Sequence, residues 1–253
     1  MAETVNRTLA RGLDILALLG DTPRGLELHE VAKALALPKS SAHNLLHTLL
    51  DKRYVRYDTD TAHYTLSLKL LEIGNAARGE SSIESMIRHY MQDISTALNE
   101  TVHCGVPDGC DVVYVDKIES TRSIRMTSRI GLRMPLFCTA MGRAILACMS
   151  DAQVVKLLKK QCFTPITAHT VSSMSALLQE LETVRAQGYA IETEENNENV
   201  RCVGVAIRDR DGVPRYAISV SMPTFRADSE QMQLAEQRLL RAQRKIEQYF
   251  QTV

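Results

Sequence analysis

Residues 37–50 read LPKSSAHNLLHTLL, and among the side chains that can form directional hydrogen bonds are Lys39, Ser40, Ser41, His43, Asn44 and His47. They fall between leucines that recur at helical spacing. On a helix, the leucines take one side and the lysine, hydroxyls, amide and imidazoles take the other. That chemistry suits a polynucleotide. An asparagine can read adenine through two hydrogen bonds, while serine and lysine reach phosphates or guanine. The plain alternative is a solvated helix face. A second set, Glu194, Glu195, His169, His103 and six cysteines, could supply acid–base or nucleophilic groups. No pair among them has a catalytic spacing, and the chain lacks a P-loop, a GxGxxG and a GxSxG. Glu194 and Glu195 precede two asparagines and read as a solvated turn. No enzyme is expected.

The elements around the first set must position it. Val5, Leu9, Leu13, Leu16 and Leu19 predict a first helix closed by Gly20. Leu26, Glu27 and Leu28 read as a short extended piece. Leu28, Val31, Ala32 and Leu35 line a second helix, stopped by Pro38 because the residue before proline is biased out of the helical region. Ser40 or Ser41 is expected to cap the third helix, whose buried stripe is Ala42, Leu45, Leu46, Leu49 and Leu50. In residues 54–66, two β-rich runs flank a polar turn and predict a hairpin. Helix, short strand, helix, tight turn, helix and hairpin, in that order, describe a winged helix-turn-helix. Its third helix enters a DNA major groove. Arg53, Arg56 and His63, on or beside the wing, suit phosphate or minor-groove contact.

Composition sets limits. The 253 residues carry 30 Lys+Arg and 30 Asp+Glu. Residues 1–75 are also balanced, nine against nine, so DNA affinity must come from local placement, dimerisation and histidine protonation. The cysteines, Cys104, Cys110, Cys138, Cys148, Cys162 and Cys202, form no CxxC and no zinc-finger spacing. They read as reduced and mostly buried thiols, with no metal or cofactor. A thiol- or metal-responsive DNA-binding sensor using Cys104, Cys110 or Cys202 near His103 is the alternative reading. The N-terminus lacks a signal peptide's apolar run, and no stretch reaches the roughly 18 apolar residues of a membrane span. A cytoplasmic protein with no membrane contact is expected.

Beyond the hairpin, residues 68–82 read as a linker helix loosening through Gly74 and Gly79. An amphipathic helix follows on Ile83, Ile87, Tyr90, Ile94 and Leu98. The period then becomes two at Val102, Cys104 and Val106, with a second strand through VVYVDKI and a third at SIRMTS. TAMGRAILACM reads as a helix, and Ser150 with Gln153 forms a capping box for another. Ser172 or Ser173 opens a helix ended by Gly188, and a long helix spans residues 229–249. These elements predict an α+β fold, a mostly antiparallel sheet flanked by helices. Residues 1–66, 67–82 and 83–253 are the expected winged domain, linker helix and second domain.

The hairpin of residues 200–221 turns through DRDG. A four-residue loop sets Cys202 opposite Ser219, and a two-residue loop sets it opposite Ser221. Either register gives the same faces. Val203, Val205, Ile207, Tyr216, Ile218 and Val220 form a large apolar one. Val200, Cys202, Gly204, Ala206, Ala217, Ser219 and Ser221 form a small one with polar handles. A face of small residues leaves room for a closely packed helix or for a ligand.

PKSSAHNLLHTL, GLRMPLFCTAMGRAILA, and GYAIETEENNENVRCVGVAIRD followed by AISVSMP together resemble the isocitrate-lyase-regulator (IclR-type) family of bacterial transcription factors over nearly the whole chain. The resemblance implies a winged DNA-binding domain, a linker helix and a GAF-like effector-binding domain. It also implies a homodimer or dimer of dimers that represses or activates nearby genes from a double-stranded operator. It places the effector on the small face, at Cys202, Ser219 and Ser221. Glu192 stands at the family's aspartate, Met126, Met134 and Val200 form apolar walls, and the N–H groups of Ala140 and Met141 sit at a helix start. Such N–H groups suit an anion, so a small carboxylate of only a few carbons is expected. Asn44 departs from the arginine common in the family.

Overall fold

The structure is a computed structural model that describes residues 6–78, 82–159 and 163–251. Val5, Gly79 and Cys162 lie outside them. The chain falls into two compact units, Met1–Glu80 and Ser81–Val253.

In the first unit, α1 (Arg7–Gly20) is capped by the Asn6 side chain, which accepts from the N–H groups of Thr8 and Leu9. Gly20 is its last helical residue and Asp21 its C-cap, so Gly20 ends the helix without closing it. Leu26 bridges to Tyr64, and α2 (Leu28–Ala34) follows behind a capping box between Glu27 and Glu30. This helix stops before Pro38 acts on it. Leu35 is its C-cap, Ala36 adopts φ 49°, and the Leu37 N–H donates back to the Ala32 carbonyl. Pro38 instead takes the N-cap position of α3 (Lys39–Asp51), with no side-chain cap. The expectation that Ser40 or Ser41 caps this helix is therefore corrected. Proline's fixed φ suits a helix start, so the first turn begins at Lys39 and both serines lie inside it. Strands β1 (Val55–Tyr57) and β2 (Tyr64–Leu66) form the wing. Ile15, Leu19, Leu26, Val31, Leu46 and Val55 make the core beneath it. Burying a side chain such as Leu46 contributes about 1.5–3 kcal/mol. Helix α4 (Lys69–Arg78) runs unbroken through Gly74, where a loosening was expected.

The second unit is one six-stranded sheet with helices on both faces. Its elements are α5 (Ser82–Leu98), β3 (Thr101–Asp108), β4 (Asp111–Ile118), β5 (Arg133–Pro135), α6 (Ala140–Ala147), α7 (Asp151–Leu157), α8 (Met174–Gln187), β6 (Ala190–Thr193), β7 (Val200–Arg208), β8 (Pro214–Pro223) and α9 (Ser229–Phe250). The strand order is β5-β4-β3-β8-β7-β6, and every pair is antiparallel. Helices α5 and α9 cover the large apolar face, where Val203, Val205, Ile207, Ile218 and Val220 join one core. A second core lies on the other face, with Met141, Ile145, Leu177 and Leu181 from α6 and α8 packed with Ala206 and Ala217. The capping box at Ser150 and the left-handed Gly188 after α8 fall where the sequence places them.

Two expectations change here. SIRMTS forms no strand; residues 121–129 are bends and coil, and pairing with β4 resumes only at Arg133. Its Arg125 is drawn to Glu119 and the preceding Arg122 to Glu100, and Ile124 is exposed. The hairpin sets Cys202 opposite Ser221 through a bulge between Ile207 and Arg208, with residues 209–213 as its turn. Neither simple loop length is used. The strands β5 and β6 are too short to show a period.

Candidate functional sites

Along α3, Lys39, Ser40, His43, Asn44 and His47 are exposed, and Ser41 is half-buried. Ala42 and Leu46 are buried on the opposite side. Among the described residues the side chains of Lys39, Ser40, Ser41 and Asn44 hold no hydrogen bond or ion pair. With Pro38 at the N-cap, the N–H groups of the first turn also point outward uncapped, an arrangement that favours a phosphate. Lys39 and His43 share a cleft with Glu27 and His29 at the start of α2, and with Tyr57, Ala62 and Tyr64 of the wing.

The wing residues divide. Arg53 and Arg56 line a separate open cleft with Leu50, Ser67, Leu68, Lys69 and Glu72. Lys69 is held there, donating to the Lys52 carbonyl at 2.9 Å and lying over the Tyr54 ring. His63 lines neither of these two clefts: its Cβ lies beside Gly25, and its Nδ1 is 2.6 Å from the Thr61 carbonyl. Tyr57 borders both clefts, 41% exposed and packed on the Tyr64 ring, a place that sequence reading missed.

In the second unit, the sheet register places the small face rung by rung. One rung runs Glu192, Cys202, Ser221, Thr101 across β6, β7, β8 and β3. The next runs Ala190, Gly204, Ser219, His103 and on to Lys117 of β4. Above Gly204 lies the start of α6. A Cβ on Gly204 would meet the Ala140 carbonyl carbon at 2.8 Å and the Met141 nitrogen at 2.9 Å. Only glycine permits that approach. The small face thus packs a helix at one end. Thr139 caps α6 by accepting from Gly142, so the Ala140 and Met141 N–H groups stay open over the strand.

Beside that contact the polar side chains touch one another. The Cys202 thiol donates to Ser221 Oγ at 3.2 Å. Ser221 Oγ lies 3.4 Å from His103 Nδ1, and His103 Nε2 lies 2.8 Å from Ser128 Oγ. The Tyr114 ring packs on His103. Lys117 donates to the Ser128 carbonyl and pairs with Glu119. His103, Ser219 and Ser221 are buried. Sequence reading took His103 only as a possible acid, base or sensor group, and missed Thr101, Tyr114, Lys117 and Ser128. Their shared face follows from long-range pairing alone. Met126 and Met134 are half-buried, and Val200 is buried beside Pro223 on β8.

The acids differ from expectation. Glu192 does not offer a free carboxylate: its Oε1 accepts from the N–H groups of Glu195, at 2.6 Å, and Asn196, at 3.1 Å. Burial raises its pKa, and those donors oppose the rise. Glu195 is no solvated turn residue. It is buried and paired with Arg143, and it accepts from the Val171 N–H at 3.1 Å. Of the described cysteines, Cys104 and Cys138 are buried and Cys148 is exposed. Burial pushes the Cys138 thiol up to about 12. Among the described residues no three or more His, Cys, Asp or Glu side chains are grouped to hold a metal ion. Nor is any helix among them long and apolar enough to cross a membrane.

Burial, and then Lys117, hold His103 down to about 4. An ordinary histidine titrates near 6.5, so between those values the unfolded chain binds the extra proton. The second unit should therefore lose stability as pH falls from about 6.5 toward 4. Urea midpoints at pH 7 and pH 5 should fall less in His103→Phe than in the wild type. Equal falls would remove His103 as a source of acid sensitivity.

Two family models match. The IclR helix-turn-helix domain covers residues 8–59, and the bacterial transcriptional regulator IclR C-terminal domain covers residues 76–248. The HTH-type transcriptional regulator KdgR of Escherichia coli is 35% identical over 232 residues, 92% of this chain and 88% of that protein. The crystal structure of the Thermotoga maritima IclR superposes with a TM-score of 0.82 at 30% identity, covering 96% of this chain and 98% of that one. An IclR homologue from Microbacterium hydrocarbonoxydans, complexed with 4-hydroxybenzoate, shares the fold, with a TM-score of 0.80 at 19% identity over 97% of this chain and all of that one.

Proposed function

The chain belongs to the IclR family of bacterial transcriptional regulators, and from that premise we propose that a small organic carboxylate bound in its second unit controls its hold on an operator. It is a DNA-binding transcriptional regulator, as its relatives are, and not an enzyme.

One observation carries the effector reading: the first turn of α6 rests on Gly204, with the Ala140 carbonyl and the Met141 nitrogen against it, on the rung that holds Ser219. An anion there meets backbone donors, and Ser219 and Ser221 provide hydroxyls on the same face. Cys202 neighbours Ser221, and Met126, Met134 and Val200 supply apolar contact. The homologue complexed with 4-hydroxybenzoate supports a carboxylate as the ligand class. Glu192, bound to its own loop, limits the site rather than contacting the acid. A thermal-shift screen of small carboxylates, sugar acids and aromatic acids tests this reading. A ligand at 100 times its dissociation constant adds about 2.7 kcal/mol. No stabilisation by any acid would sink it.

On DNA, Lys39, Ser40 and Ser41 at the uncapped start of α3 take phosphate, while His43, Asn44 and His47 face base edges. Arg53, Arg56 and, less directly, His63 contact the flanking backbone. The protein acts as a homodimer or a dimer of dimers. Leu9 and Leu13 on α1, and Leu68 and Leu71 at α4, are 57–73% exposed, apolar surface that a second copy would cover. Footprints should show half-sites about one helical turn apart, or a multiple of it. Lys39→Ala should weaken binding to all DNA and flatten its salt dependence. Asn44→Ala or His47→Ala should cost roughly 1–3 kcal/mol at particular base pairs. Unchanged operator affinity after replacing Ser41, Asn44 and His47 together would rule out this reading face.

A further inference from the structure

The polar side chains on the small face form a line that leaves the sheet. It passes from Cys202 to Ser221 and from Ser221 to His103, and it ends at Ser128. Ser128 belongs to the stretch between β4 and β5, which is bends and coil from residue 121 to residue 129. Most of that stretch is exposed. Thr121 is held by Asn99, Arg122 by Glu100, and the Ile124 carbonyl by Arg226. Past Ile124, Ser128 meets the sheet through His103 and Lys117, and Gly131 donates to the Tyr114 carbonyl at 2.7 Å.

We infer that His103 is a positioning residue of the effector site, joining the Ser221 hydroxyl to Ser128 so that residues 121–131 respond to what binds at Ser221. This rests on the carboxylate reading above. The physical reason is the hydrogen-bond capacity of a neutral imidazole, which has one donor nitrogen and one acceptor nitrogen. A carboxylate accepts only, so it takes the Ser221 proton. Ser221 Oγ can then only accept from His103, which must carry its proton on Nδ1. Nε2 becomes an acceptor, and Ser128 must donate. Without the acid, Ser221 is free to donate to Nδ1, and Nε2 donates to Ser128. Ligand binding thus fixes one tautomer, and with it the orientation of the Ser128 contact. The tautomer changes by exchange with solvent: one proton leaves Nε2 and one is taken up at Nδ1, so the ring stays neutral, while the hydroxyls of Ser221 and Ser128 only turn.

The test uses the full chain and three variants. His103→Phe keeps the packing on Tyr114 and removes both nitrogens. His103→Asn restores a donor and an acceptor. Ser128→Ala cuts the line at a half-buried loop residue, where folding is little affected. Amide hydrogen exchange over residues 121–131 should quicken about fivefold in His103→Phe and Ser128→Ala, the effect of losing one hydrogen bond. Exchange in β3 and β8 should stay unchanged, and His103→Asn should recover part of the loss. Lactate and pyruvate serve as probe acids, followed by calorimetry and by the imidazole ¹⁵N shifts of His103. In the wild type a bound acid should move the shifts toward the Nδ1–H form and slow exchange in the loop. In Ser128→Ala the acid should still bind, while the loop no longer responds. Loop exchange that is identical in wild type and both truncating variants would overturn the proposal, as would an equal response to acid in Ser128→Ala. If neither acid binds the wild type, these probes fail the carboxylate reading, and the ligand-free exchange comparison still decides whether His103 holds the loop.

Discussion

Alanine at both Ser219 and Ser221 weakens binding of the best acid from the screen by roughly 3–6 kcal/mol, or two to four orders of magnitude. Each serine would give one hydrogen bond to a charged group, and such bonds contribute about 1.5–3 kcal/mol each. Ser219 sits on the Gly204 rung beneath the α6 N-terminus, and Ser221 on the next rung with Cys202. The loss shrinks if water takes over a hydroxyl's role. Because Ser221 also touches Cys202 and His103, the double variant needs its own melting curve. Calorimetric titration of wild type and variant gives the answer. A folded double variant with undiminished affinity would place the effector elsewhere and leave the small face to helix packing alone.

Arg143→Met destabilises the second unit by about 3–5 kcal/mol, the usual result of removing one partner from a buried ion pair. Arg143 is 2% exposed, and it holds four elements at once. Its Nε donates to the Phe137 carbonyl at 3.0 Å, and Nη1 reaches Glu180 of α8 at 2.6 Å and the Ile191 carbonyl of β6 at 3.5 Å. Nη2 pairs with Glu195. Methionine fills much of the volume but leaves Glu195 buried without its cation. Burial already raises the pKa of Glu180, and Arg143 offsets that rise. The melting temperature should fall by roughly 6–20 °C. Adding Glu195→Gln should return part of the loss, since the stranded charge is then gone. A loss under about 1 kcal/mol in urea titrations would show that the surrounding carbonyls and helices hold α6 without the arginine.

The winged unit was legible because its signals are local. Leucine spacing marks three helices within one turn of their bounds, and the polar run after Tyr57 marks the wing. What failed there was a choice between two local rules. Proline ends helices and also starts them, and at Pro38 the second role prevails. In the sheet, the faces of β7 and β8 could be read because both registers share one parity. The register itself could not, since the bulge at Ile207 takes up the extra turn residue. SIRMTS alternates like a strand, but it misleads because its arginine, Arg125, and the preceding Arg122 find carboxylates at Glu119 and Glu100. Arg143 and Glu195 are 52 positions apart, and no spacing rule joins them. Glu195 therefore looked solvated. His103 looked like isolated acid–base chemistry because its partners, Ser221 and Ser128, lie 118 and 25 positions away along the chain.

The contact between Gly204 and the first turn of α6 also bears on how such a regulator could diversify. Backbone rests on backbone there, so the donors of Ala140 and Met141 stand at a fixed height above the strand. Neither segment can drift without the other. Side chains around that frame, such as Met141, Cys202 and Ser219, can change one at a time while the frame stays put. A duplicated copy could thus acquire taste for a new acid through single substitutions, each tolerated as it arises. A change at Gly204 itself would close that route, because it lifts the whole helix start. Laboratory retargeting of the pocket has the same starting point: hold Gly204 fixed and vary its neighbours.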